Sequence, residues 1–348
     1  MDEALAMPAP PVAVPLEQRL YVRSPVGTLA TTLFVFVLMF GLFAAAAGAE
    51  HVAVFRRGAY GFAFSDAAWP AFVLSLLCSS ALLMQRYVRL AEAGDAQDYA
   101  RILTGGWATA RQITAFASSE VRLLRPTLTG LAVGIAISIV VRVSELREGH
   151  VIPPLTMLWF GLATTFLTVL FARGVEQTRA GGRSYGRLLH AELKIDLLRT
   201  DTLAVLGRSG ARSALIWFVI SAVACLFFVG GDLNWLTIGL IAACAAMGLG
   251  MFVSIMNRIH RQIVAAKRAE LEHVRAQIDA ARAAFLTDDH AAMRLHGLIA
   301  YETRIADAPE WPFDQSTLVR VGASALIVTV PWFGQAIVQY LIEHVAQR

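Results

Sequence analysis

An all-α, polytopic membrane bundle of six spanning helices, with a seventh run long enough to span, is the fold this sequence predicts, on three observations. Hydrophobic residues make up 57% of the chain and charged ones only 16%, against roughly 25% charged in an ordinary soluble domain. Uncharged or nearly uncharged runs follow one another at 28–49, 67–84, 127–141, 154–171, 214–230 and 233–255, each near the ~20 residues that cross a hydrocarbon core. Arginine and lysine crowd alternate connections and are sparse in the others.

Residues 1–27 mix acids, prolines and alanines without periodicity, which predicts a disordered cytosolic tail. The run 28–49 follows Arg19 and Arg23 and ends in Ala47-Gly48-Ala49, which imitates a signal peptide with its cleavage site. A signal core is only about 7–15 residues long, so the longer run predicts a retained span.

Orientation follows from the basic residues, which stay on the cytoplasmic side. Between the second and third spans lie Arg86, Arg89, Arg101, Arg111, Arg122 and Arg125. Between the fourth and fifth lie Arg173, Arg179, Arg183, Arg187, Lys194, Arg199, Arg208 and Arg212. The opposite connections hold Arg56 and Arg57, then Arg142 and Arg147, then none. The alternation predicts a multi-pass protein of a bacterial inner membrane, with its N-terminus and both ends of the six-span bundle (28–256) in the cytosol.

The two internal connections, 85–126 and 172–213, are about 40 residues each, where bundle connections ordinarily take 2–8. The segment YVRLAEAGDAQDYARIL is expected to extend the second span beyond the membrane, and the stretch after Gly105-Gly106 to lead into the third. Gly181-Gly182 is expected to separate the fourth span from a short amphipathic helix, on which Leu189, Leu193 and Leu197 recur at i+4.

Past the sixth span the chain becomes rich in Ala, Glu, Arg and Lys with no Pro or Gly, which predicts one helix from about 233 to 285 that starts in the membrane and ends in water. Segment 257–313 is read as a cytosolic helical hairpin with coiled-coil character. Val264, Leu271, Val274, Ile278, Ala281 and Phe285 follow spacings of three and four, apart from Lys267 at a seam position. Val264, Leu271, Val274, Ile278 and Phe285 are the candidate seam for a partner, for oligomerisation, or for packing on the next segment. Thr287-Asp288-Asp289 reads as a helix cap with acids in the first turn, opening a second helix over 290–306. Two prolines in Ala308-Pro309-Glu310-Trp311-Pro312-Phe313 stop it, and Trp311 with Phe313 suits a return to the membrane surface. Segment 314–348 is a C-terminal transmembrane or interfacial helix, interrupted by Pro331-Trp332-Phe333-Gly334.

The chemistry is defined mainly by what the spans lack. All eight histidines (His51, His150, His190, His260, His273, His290, His296 and His344) fall outside them, so no intramembrane haem or metal site of the histidine type is expected. No charged residue sits mid-span, where ion or proton relays place theirs. Cys78, Cys225 and Cys244 lie in apolar runs without CxxC spacing and read as small buried hydrophobes. His190, Glu192 and Asp196 do not share a helical face, and Asp288, Asp289 and His290 are explained by capping, which disfavours metal at either place. Nucleotide, zinc-hydrolase and nucleophile-elbow motifs are absent. No catalytic residue, cofactor or metal is assigned. The net charge of +4 is spread over several loops, which argues against a nucleic-acid partner and leaves the lipid bilayer and another protein.

Small residues carry the helix-packing signal. Gly130, Gly134 and Ser138 form a candidate ridge on the third span and Gly41, Ala45 and Ala49 another on the first, serving either an oligomer face or contact within the bundle. The alanines and glycines from Ala242 to Gly250 suit a sixth span at the bundle's centre.

Six spans, short external loops, long helical internal loops and a last span running into the cytosol resemble the membrane half of an ABC exporter. That resemblance implies a permeation or lipid-export unit working with a separate ATPase, since the chain carries no Walker sequence. The leading expectation is a non-enzymatic membrane component that docks a partner or self-associates through 257–306. A third is a membrane-surface enzyme using groups near Asp288.

Overall fold

The computed structural model describes residues 16–58, 61–103, 106, 120–147, 153–191, 196–198, 204–228, 235–284, 289–311, 319 and 323. The chain is an all-α bundle in which, among the described residues, six helices are long and apolar enough to cross a membrane, so it is a multi-pass membrane protein. Phe285, the Thr287-Asp288 cap, most of the approach to the third span and the seventh run at 321–341 lie outside the described residues.

A short helix, α1 (Leu16–Arg23), stands where coil is expected. Its residues after Pro15 are mostly good helix formers, and Tyr21 is buried with its hydroxyl 3.1 Å from Thr32 Oγ1 on the next helix. Gly27, at φ 85°, makes the left-handed turn between the two, a conformation open to glycine without steric cost. The first span, α2 (Thr28–Ala49), follows.

Beyond it, β1 (Phe55–Gly58) and β2 (Gly61–Phe64) pair antiparallel with Phe55 opposite Phe64. This hairpin caps an aromatic cluster. The Phe64 ring lies within 6.0 Å of Phe40, Trp69 and Phe72, and Phe43 packs edge-on to Trp159 at 5.3 Å. Buried indole N–H groups need acceptors. Trp69 Nε1 donates to Leu226 O at 2.8 Å and Trp159 Nε1 to Met39 O at 3.1 Å.

Helix α3 (Ala68–Ile102) has 35 residues, or ~52 Å, and continues well past its spanning part, Ala68–Ala91. The third and fourth spans lie in α4 (Glu120–Arg147) and α5 (Pro154–Ala191), which pack side by side. α5 runs straight through Gly181-Gly182, contrary to the expected break. A mid-helix glycine costs only about 1 kcal/mol relative to alanine, which the flanking helical residues overcome. The fifth span is α6 (Ala204–Ala224), closed by a 3₁₀ turn over Cys225–Phe228. The sixth lies in α7 (Trp235–Ala284), which has 50 residues, or ~75 Å, and is followed by α8 (Asp289–Ala306).

α3, not the sixth span, is the central helix: 56% of its spanning window is buried, against 31% for α7 and 11% for α4. Ala242, Ala243 and Ala246 on α7 face outward. α3 tolerates burial of Ser75, Ser79 and Ser80 because each donates its hydroxyl to a carbonyl of its own helix, so these three groups are satisfied within the apolar interior.

One buried cluster joins α3, α6 and α7 from Leu77 and Trp217 to Tyr99, Ile102, Val205, Leu206, Ile259 and Ile263. The last six lie at the helix-extension end, beyond or at the edge of the apolar runs. For a side chain withdrawn from water, burial of a large aliphatic group contributes ~1.5–3 kcal/mol. In the spanning part the stabilisation comes from close packing and hydrogen bonds instead.

At the opposite end, Glu50 follows α2 and caps α5. Its carboxylate accepts from Leu155 N, from Thr156 N at 2.8 Å and from Thr156 Oγ1 at 2.6 Å, satisfying donors that a helix start leaves unpaired. Desolvation pushes the Glu50 pKa up, but the Thr156 hydroxyl and the two backbone N–H groups outweigh it, holding the carboxyl below its ordinary value. A depressed carboxyl contributes stability that is complete above its unfolded pKa, about 4.3, and is lost as pH falls through the folded value. Glu50→Gln is therefore expected to melt below the wild type at pH 7 and to converge with it on acidification. Thermal unfolding in mild detergent across that range measures the gap, and a gap independent of pH would contradict the capping role.

Candidate docking surface

The end beyond the apolar run of the sixth span is built by the charged half of α7 and by α8. α8 folds back antiparallel along α7, held by Arg275 Nε donating to Glu302 Oε1 at 2.7 Å and Tyr301 OH donating to Glu270 Oε1 at 3.1 Å. Between these contacts Val274 is fully buried, as is Ile305 on α8. The seam seen in the sequence is thus filled on one side by the chain's own next helix. Val264, Leu271 and Ile278 stay half-buried.

Lys267 occupies a seam position because its long stem can lie along apolar surface while its ammonium reaches polar groups. Nζ donates to Ala308 O at 3.0 Å and lies 3.4 Å from Glu310 Oε1. Beyond α8 the chain returns to the level where α7 turns from apolar to charged. There Trp311 stacks on His260 with ring centres 4.1 Å apart, and His260 Nδ1 lies 3.0 Å from Glu310 O. Burial first, then the Glu270 carboxylate and the charge of Asp196, push the Tyr301 hydroxyl above its ordinary pKa. Asp196 itself caps a turn through Leu198 N at 3.0 Å.

Sequence reasoning missed the contact that joins the two long connections. Arg212 on α6 pairs with Asp95 on α3, and Arg208 lies 2.8 Å from Asp98 and 3.8 Å from Asp95. Acids at i and i+3 in one loop, and arginines at i and i+4 in the other, were the available signal. Arg173, counted with the loop arginines, is buried, with Nη1 donating to Thr127 Oγ1 at 2.9 Å between α4 and α5.

The ridge Gly130, Gly134 and Ser138 lies against α5 of the same chain. A Cβ at Gly130 would fall 2.6 Å from Val169 Cα, and one at Gly134 2.6 Å from Thr165 Cα. Thr168 Oγ1 donates to Gly130 O at 2.8 Å, and Ser138 Oγ lies 3.5 Å from Gly161 O. Gly41, Ala45 and Ala49 are exposed on α2. All three cysteines are buried and none forms a disulfide, and among the described residues no three His, Cys, Asp or Glu side chains converge as metal ligands. Comparison of the chain with models of protein families, with characterised proteins and with solved structures gave no match.

Proposed function

We propose that this protein is a non-enzymatic component of a bacterial inner membrane, with its N-terminus and helix extensions in the cytosol, that docks a partner or self-associates through the α7–α8 hairpin. The observation that carries the reading is α7 itself: with no proline or glycine after Gly250, it runs on past its apolar half and holds a second helix against one side of an apolar seam, while Val264, Leu271 and Ile278 remain half-covered. The alternation of basic connections supports the orientation. The shared core of α3, α6 and α7 and the Asp95–Arg212 pair give the hairpin a firm base.

Native mass spectrometry of the protein extracted from its own membrane tests the reading. A second polypeptide at fixed stoichiometry, or a homo-oligomer, is expected. The double variant Leu271→Asp with Ile278→Asp is expected to release it, with membrane insertion and helix content retained. Assembly unchanged in that variant would remove the seam as an interface. An ATPase as the released partner would select the export reading that the bundle's topology resembles.

A further inference from the structure

We propose that the flank of the hairpin marked by Arg275 and Glu302 is a groove for an acidic amphipathic helix of a partner protein, an inference that rests on the docking function above. The Arg275–Glu302 bond identifies which side chains meet there. Leu271 and Ile278 stand at i−4 and i+3 from Arg275, and Leu295 and Ile299 at i−7 and i−3 from Glu302, so helical periodicity puts all four on that side. Leu271, Ile278 and Leu295 are half-buried, and Ile299 is 48% exposed. The other flank, at Glu270 and Tyr301, is approached by Asp196, and Leu197 packs against the main core. Among the described residues, α8 packs extensively only on α7. Two helices with apolar side chains on a shared flank form a site for a third, the helix-in-groove mode of recognition.

Charge decides what the third helix is. Arg261, Arg268, Arg275 and Arg282 recur at every seventh position and are exposed along the rim of this groove. Glu272 and Asp279 are exposed on the side of this row away from the apolar stripe, at three- and four-residue spacings from Arg268, Arg275 and Arg282, so the row keeps its charge toward the groove on the arginines alone. A heptad row of arginines beside an apolar stripe matches acids at the flanking positions of an incoming helix. Arg268 and Arg282 are ~21 Å apart along the axis, so the occupant spans about four turns with acids at seven-residue intervals. Lipid headgroups do not fit the whole row. Arg282 is ~39 Å along α7 from Met256, several Debye lengths of ~8 Å beyond the end of the apolar run. A second copy in a two-fold contact would set arginine rim against arginine rim.

The test uses the full chain in nanodiscs of zwitterionic lipid and two labelled 21-residue helical peptides with leucine at the core positions. One peptide carries glutamate at both flanking positions and the other lysine. After subtraction of binding to empty nanodiscs, fluorescence anisotropy is expected to show the glutamate peptide bound at least about tenfold more tightly, a preference weakened by salt. Arg268→Glu with Arg282→Glu is expected to reverse the preference, and Leu271→Asp to weaken both peptides. Equal binding of the two peptides, a preference unmoved by the arginine variants, or a dimer of the chain occupying the flank would overturn the groove's assignment. If Leu271→Asp with Ile278→Asp releases the native partner while the arginine reversal does not, the docking function stands and the acidic-helix groove falls. If neither pair of changes alters native assembly, both fall.

Discussion

Leucine at Gly134 is expected to force α4 away from α5 and to cost the bundle about 3 kcal/mol or more, the upper range for overpacking a closed contact. Even the first added carbon would sit 2.6 Å from Thr165 Cα, and at Gly130 2.6 Å from Val169 Cα and 2.8 Å from Thr168 O. These are backbone atoms, so no side chain can rotate aside. Separation would also break the Thr168 hydroxyl bond to Gly130 O, which in hydrocarbon has no water to replace it. Gly130→Ala should therefore destabilise in the same direction with a smaller magnitude. Gly41→Leu and Gly250→Leu are the controls, since a Cβ at either meets nothing within 4 Å, and both should stay within about 0.5 kcal/mol of the wild type. Unfolding in mixed micelles of rising denaturing-detergent fraction measures all four. A Gly134→Leu protein as stable as the Gly41→Leu control would mean that α4 and α5 do not approach as described.

These four glycines show how far the sequence reaches. Spacing alone finds both small-residue ridges, because a period near 3.6 puts i and i+4 on one face, yet nothing local tells which ridge meets a neighbour. The spans themselves are legible because the bilayer imposes a length and forbids charge at depth, and α7 is legible because neither proline nor glycine interrupts its charged half. The α7–α8 pairing was readable as one of two ways to cover a heptad seam. Its flank became visible only when Arg275 and Glu302 fixed the register of the two helices.

Other features had no local signature. α3 is central with its serine hydroxyls satisfied within its own helix, whereas composition favours the alanine-rich sixth span. Gly181-Gly182 looks like a boundary and lies inside a helix, because glycine lowers helix stability without abolishing it. The Phe55–Gly58 and Gly61–Phe64 strands are too short to compete, in a periodicity reading, with the apolar runs around them.

The contact between Asp95 and Arg212 spans 117 positions of sequence, and removing its acid should have the second-largest effect. The side chains of Asp95 and Arg212 are only 15% and 16% exposed, so each charge is largely withdrawn from water and depends on its partner. Breaking a fully buried pair from one side costs about 3–5 kcal/mol, and partial exposure lowers the expectation for Asp95→Ala to about 2–3 kcal/mol. Arg212→Ala should cost less, because Arg208 stands 3.8 Å from Asp95 and can take over its charge, whereas loss of Asp95 leaves Arg212 without the acid it pairs with. The asymmetry is the diagnostic part: a double-mutant cycle should return a favourable coupling, and exchanging the residues as Asp95→Arg with Arg212→Asp should recover part of it. Equal costs for the two single variants with no coupling would mean that α3 and α6 are held at this end by the apolar cluster of Tyr99, Ile102, Val205 and Leu206 alone. A measured coupling would instead tie the two long connections together electrostatically, so that a load applied to the α7–α8 hairpin is passed through the shared core into the central helix α3.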